Sequence, residues 1–135
     1  MAEKNTATLQ ALLRFALPLG TNLIVGDPDV AINWAITLRA QPPAFPDIYG
    51  GELALVSMDI LRSYDNRITL GEVIQSLSEA GVNVVAVRDN VSQAAVTVAT
   101  ELSINILQLP DGTSLPNVER AVNKLILNQT SQLTE

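Results

Sequence analysis

Three short polar segments stand directly after apolar runs, and they bring together residue types able to do chemistry. They are Ser57-Met58-Asp59, Arg88-Asp89-Asn90 and Pro110-Asp111-Gly112. Together they offer a cation, three carboxylates, an amide and a hydroxyl. Where such runs are strands of an open α/β sheet, the segments after them lie at the carboxyl ends, where ligands bind. The chemistry expected there is recognition of a small polar ligand by Ser57, Asp59, Arg88, Asp89, Asn90 and Asp111. Arg88 would pair a carboxylate or an enolate-like oxygen, and the following helix N-termini would favour an anion. The competing reading is structural: Arg88 salt-bridges Asp89 or Asp59, and Asn90 or Ser92 caps the next helix.

Catalysis is not expected. The chain has no cysteine and no histidine, which excludes disulfides, thiolate nucleophiles, Cys/His zinc sites and Ser-His triads from this chain alone. A pair such as Asp59 and Asp89 would share a proton if buried together, but nothing in the spacing brings them within reach. No nucleophile or metal set accompanies them. No cofactor or metal is expected, and a magnesium site of the receiver type is not expected either. Gly50-Gly51 reads as a positive-φ turn before a strand. It is not a phosphate loop, because neither the glycine spacing nor a following Lys-Ser/Thr is there.

The elements that must hold these segments follow from periodicity. Leu9, Leu12, Leu13 and Ala16 fall on one face of a helix that Thr6 or Thr8 caps and Pro18 and Gly20 end. Leu23-Ile24-Val25 reads as a strand and Gly26-Asp27-Pro28-Asp29 as a turn. Val30, Ile32, Trp34, Ile36 and Leu38 then alternate with smaller or polar residues, predicting a half-buried strand that pairs with the first as a hairpin, with Trp34 in the core. Pro42, Pro43 and Pro46 break the pattern. The loop 42–49 carries Phe45, Ile48 and Tyr49, a candidate interface or lid, or a cover for the sheet edge.

From residue 53 onward the order is β/α. Residues 53–56, 82–87 and 104–109 are short runs expected to be buried on both faces, as in parallel sheets. Thr69-Leu70-Gly71-Glu72 is a capping-box signature, followed by Leu70, Val73, Ile74 and Leu77 on one helical face. Val91, Ala94, Ala95, Val98, Ala99 and Leu102 form the next stripe. Ser114 and Pro116 open a last helix with Val118, Ala121, Val122, Leu125 and Ile126 inward. Residues 79–87 align with 101–109 at an offset of 22, so two helix-to-strand units follow one another with right-handed crossovers.

The expectation is one α/β domain over 1–135: a mixed sheet with a parallel βαβαβ core, an N-terminal helix and β-hairpin, and about four helices. Residues 128–135 would begin a linker to a further C-terminal part. Composition agrees. Hydrophobic residues are 47% of the 135 and charged residues 16%, which excludes intrinsic disorder. Eight basic residues against fourteen acidic give a net charge of −6, and none of the basic ones cluster, so direct nucleic-acid binding is not expected. No apolar stretch reaches the roughly 18 residues of a membrane span, and the N-terminus lacks a signal pattern. A cytoplasmic location is the default.

An ordered set of segments carries a family resemblance. They are Leu17-Pro18-Leu19, Ile32-Asn33-Trp34, Gly50-Gly51-Glu52-Leu53, Glu79-Ala80-Gly81-Val82, Ala99-Thr100-Glu101-Leu102 and Ile106-Leu107-Gln108-Leu109-Pro110. In order and spacing they cover residues 9–127, and the chain resembles the N-terminal domain of PucR-type transcriptional regulators, the purine catabolism regulator family. Where that family typically has Thr-Thr-Gly after the Gly-Gly-Glu-Leu strand, this chain has Val56-Ser57-Met58. The resemblance implies a regulatory domain that senses a small metabolite related to purine catabolism and signals to a DNA-binding region outside this chain. A homodimer is the expected assembly. The alternative is a ligand-free dimerisation or protein-interaction module, for which the low charge fraction and the apolar loop with Phe45, Ile48 and Tyr49 speak.

Overall fold

Strand β5 (Glu52–Val56) is buried at every residue, as are all four residues of β6 (Val84–Val87). A strand with no solvent-facing side needs neighbours on both edges and cover on both faces, and the rest of the fold provides them. The computed structural model describes residues 7–37, 50–63, 67–88 and 90–133, the last five by backbone alone. β5 lies parallel to β4 (Trp34–Thr37) on one edge and to β6 on the other, and β6 lies parallel to β7 (Asn105–Gln108). β2 (Asn22–Val25) closes the far side antiparallel to β7, giving the order β2-β7-β6-β5-β4. The α/β class with a parallel βαβαβ core is therefore as the periodicity predicts, with β4 as a fourth parallel strand.

The helices supply the cover. α3 (Leu70–Ala80) and α4 (Gln93–Leu102) connect β5 to β6 and β6 to β7 and pack side by side, α4 also meeting β2 and β7. α5 (Leu115–Leu133) packs on β4 and β5 together with α1 (Leu9–Phe15). A short α2 (Met58–Arg62) follows β5 directly. Leu70, Val73, Ile74 and Leu77 are all buried along α3, and Val118, Val122 and Ile126 along α5, as their spacing requires. The α4 stripe is narrower than expected. Ala95 and Ala99 are buried, whereas Ala94 is exposed and Leu102 is 38% exposed. Helix α5 continues through Leu133, so the polar stretch from Asn128 extends a helix.

Local capping explains where the helices begin. Thr8 Oγ1 accepts from Ala11 N at 3.2 Å and Ser92 Oγ from Ala95 N at 3.2 Å. Thr69 Oγ1 accepts from Glu72 N at 3.3 Å and donates to Glu72 Oε1 at 3.0 Å. Glu72 thus closes on the hydroxyl of the cap itself. Gly81, with φ of 103°, ends α3 in the left-handed conformation that glycine adopts at least cost.

The expected hairpin does not form. Leu23 pairs with Leu107, and the run from Val30 splits at Asn33 into β3 (Ala31–Ile32) and β4. β3 pairs antiparallel with β1 (Ala7–Thr8), while β4 joins the parallel sheet. Backbone hydrogen bonding explains the break. Asn33 N donates to Gly51 O at 3.1 Å and its side-chain amide to Gly50 O at 2.7 Å, which leaves no continuous ladder through it. The turn after β2 is tied elsewhere as well: Asp27 N donates to Asn105 Oδ1 at 2.8 Å. Trp34, expected in the core, is 40% exposed. It is the first residue of β4, the edge strand, whereas Ile36 two residues on along the same face is buried.

Candidate functional site

β5, β6 and β7 end at one level. The parallel ladder runs on to Arg88 N, which donates to Val56 O at 3.3 Å, and Leu109 N, which donates to Val87 O at 2.8 Å. Beyond that level an open polar cleft of about 610 Å³ lies over the carboxyl ends of the strands. Asp59, Arg88, Asn90 and Asp111 all line it, so four of the expected residues converge.

Ser57 has a different place. It is fully buried beneath the cleft, where its hydroxyl accepts from Arg88 Nη2 at 3.0 Å. Arg88 Nη1 donates to Thr113 O, also at 3.0 Å. Among the described residues both partners of the guanidinium are thus neutral oxygens, and the expected salt bridge to Asp59 is not the arrangement found. Ser57 directly follows β5, and Thr113 stands two residues before α5. Arg88 is therefore a crossbar between the two segments that flank it, held in a fixed orientation on the cleft wall.

Asn90 is exposed, and its Oδ1 accepts from Gln108 Nε2 at 3.3 Å. The helix cap is Ser92, the second of the two residues weighed for that role. Asp89, Phe45, Ile48 and Tyr49 lie outside the described residues.

The cleft also contains residues the sequence reasoning did not assign to it. Arg62 comes from the last turn of α2, while Thr69 and Ser92 are the caps of α3 and α4. Met58 and Leu70 add apolar wall, and Gly112 closes the side beside Asp111. A signal for two of them was available: a cap that follows a parallel strand must stand at that strand's carboxyl end. With Thr69 and Ser92 on the wall, the N-terminal ends of α3 and α4 face the cleft, where their partial positive charge adds to Arg62 and Arg88. Asp59 and Asp111 oppose it, so among the described residues the wall carries both signs of charge.

A second hollow of about 510 Å³ lies at the opposite end of the sheet, between the turn at Gly26 and the end of α4. Among the described residues its wall carries no basic side chain, and Asp27 N there donates to Asn105 Oδ1. Among the described residues no helix is long and apolar enough to cross a membrane, and no group of three or more acidic, histidine or cysteine side chains comes together as a metal site.

Fold and site together define an α/β domain with a polar cleft at its parallel strand ends, whose described wall carries both cationic and anionic side chains. No family model matches the chain, and no curated protein matches it.

Proposed function

We propose that this chain is a regulatory domain that binds a small polar metabolite in the strand-end cleft. The observation that carries the reading is Arg88, braced by Ser57 and Thr113 on the wall of an open cleft of about 610 Å³. A volume of that order suits a metabolite-sized ligand. Bracing supports binding because a guanidinium already oriented loses little freedom when a ligand arrives. The resemblance to PucR-type N-terminal domains adds the regulatory half of the proposal: occupancy of the cleft is passed to a DNA-binding region, and purine breakdown products are the metabolites to try first. Sensing requires a ligand that binds two conformations unequally.

Thermal unfolding at fixed protein concentration, against purine breakdown products and related organic acids, tests this. A ligand at about 100 times its dissociation constant adds about 2.7 kcal/mol, on the order of 10 °C in midpoint for a domain of this size. The expected result is a rise that Arg88→Ala diminishes. A panel that stays flat, zwitterionic amino acids included, overturns it.

A second reading, a ligand-free homodimerisation module, is favoured by one observation. Phe15 is 72% exposed and Leu19 98%, close together in sequence at the end of α1 and in the loop to β2. Apolar surface of that kind marks interfaces when it is contiguous. Sedimentation across a concentration series distinguishes the two, since a monomer at every concentration removes the module.

A further inference from the structure

Resting on the cleft as the binding site, we propose that its occupant is a small zwitterion: one molecule that carries a carboxylate and, a few bonds away, an ammonium group. The argument is the sign and placement of the cleft's charged side chains. Arg62 and Arg88 stand on its wall with Asp59 and Asp111. The crossbar from Arg88 joins Ser57, the residue before α2, whose first turn carries Asp59, to Thr113, two residues beyond Asp111 in the loop before α5. The guanidinium therefore bridges two segments that each carry a carboxylate, the start of α2 and the loop before α5.

A purely anionic ligand would pair with the arginines and also meet both aspartates. A purely cationic one would pair with the aspartates and meet both arginines. Among the described residues a ligand with both signs pairs with both sets, whereas a ligand of one sign meets like charge at one of them. The wall also carries the Ser92 hydroxyl, which accepts from Ala95 N as a cap and keeps its proton to donate to a ligand carboxylate. Because Arg62 and Asp111 are both exposed, their substitution tests charge without opening the core.

The experiment is residue-resolved NMR titration of the full chain with three matched probes: 5-aminopentanoate, pentanoate and pentylamine. The expected result is that 5-aminopentanoate shifts amides around Arg88 and Asp111 and binds about tenfold more tightly than either single-charge probe. Arg62→Gln should reduce its advantage over pentylamine, and Asp111→Asn its advantage over pentanoate. Equal binding of pentanoate and 5-aminopentanoate at these amides overturns the zwitterion and leaves the cleft as a binding site. So does an advantage that neither variant reduces. No shift at cleft amides with any probe overturns the zwitterion and counts against the cleft itself.

Discussion

Asn123 on α5 makes both of its side-chain hydrogen bonds to one residue, Ala35 in β4. Its Oδ1 accepts from Ala35 N at 2.7 Å and its amide nitrogen donates to Ala35 O at 3.1 Å. Both residues are buried. β4 is an edge strand, and in a parallel pair alternate residues turn their backbone groups away from the neighbour. A side-chain amide reproduces what a further strand would have offered and covers that edge. Thr37 Oγ1, donating to Glu119 Oε1 at 3.0 Å, fastens the same helix to the same strand two residues on.

Asn123→Ala should therefore cost more than an ordinary helix substitution. It strands a buried N–H and a buried C=O, each worth about 1–3 kcal/mol when unpaired, so a loss of about 3 kcal/mol is expected. Urea unfolding should show a lower midpoint at unchanged slope. A loss below about 0.5 kcal/mol would mean that water replaces the amide at Ala35.

What the sequence reveals of this fold depends on how local the cause is. The strands at residues 53–56, 82–87 and 104–109 are legible because double-sided burial requires continuous apolar runs. Helix α3 is legible because Thr69 starts it, Gly81 stops it and Leu70, Val73, Ile74 and Leu77 keep one face. The hairpin expectation fails because the partner of Leu23 is Leu107, far along the chain, and no local pattern encodes that choice. Asn33 breaks an otherwise regular alternation through contacts to Gly50 and Gly51, which become neighbours only on folding. The site divides the same way. Asp59, Arg88, Asn90 and Asp111 follow from the strand-end rule, whereas Arg62 reaches the cleft only because α2 begins directly after β5.

Gly26 and Asn105 offer a test of coupling. Gly26 has φ of 120°, and a Cβ there would stand 1.5 Å from Asn105 Oδ1, the atom that accepts from Asp27 N. Gly26→Ala should destabilise by about 2–4 kcal/mol, from backbone strain and the displaced amide together. Asn105→Ala alone should cost about 1–2 kcal/mol for the unpaired Asp27 N–H. The double variant should lose less than the sum, because removing Asn105 clears the clash but not the strain. Strict additivity in denaturant unfolding would contradict this account.

Ser92 separates a structural role from a ligand role at one position. It caps α4 through Ala95 N and also lines the cleft. Ser92→Ala should cost about 1 kcal/mol of stability. Ser92→Asp keeps a capping oxygen and suits the helix dipole, so its stability should stay near that of the parent. It also adds a negative charge beside the cleft. Under the proposed function it should weaken any ligand whose carboxylate meets Arg88, by a few-fold, as read from the ligand-induced rise in melting midpoint. An aspartate variant that is stable and binds unchanged would place the ligand away from the α4 end of the cleft.

The crossbar itself can be taken apart in two steps. Ser57→Ala removes one neutral acceptor from Arg88 and should cost about 1 kcal/mol, since the freed Nη2 turns to water in the open cleft. Arg88→Lys keeps the charge but replaces a planar fork by a single ammonium, which cannot hold Ser57 and Thr113 in the same geometry. The lysine variant should therefore lose more stability than Ser57→Ala, about 1–3 kcal/mol, though its charge is unchanged. If charge alone mattered, lysine would match the parent and alanine would not. If the bridging geometry matters, lysine and alanine should fall close together in urea unfolding. Hydrogen exchange then locates the damage: bridging predicts faster exchange in the first turn of α5, the helix that begins two residues after Thr113, with β6 left protected.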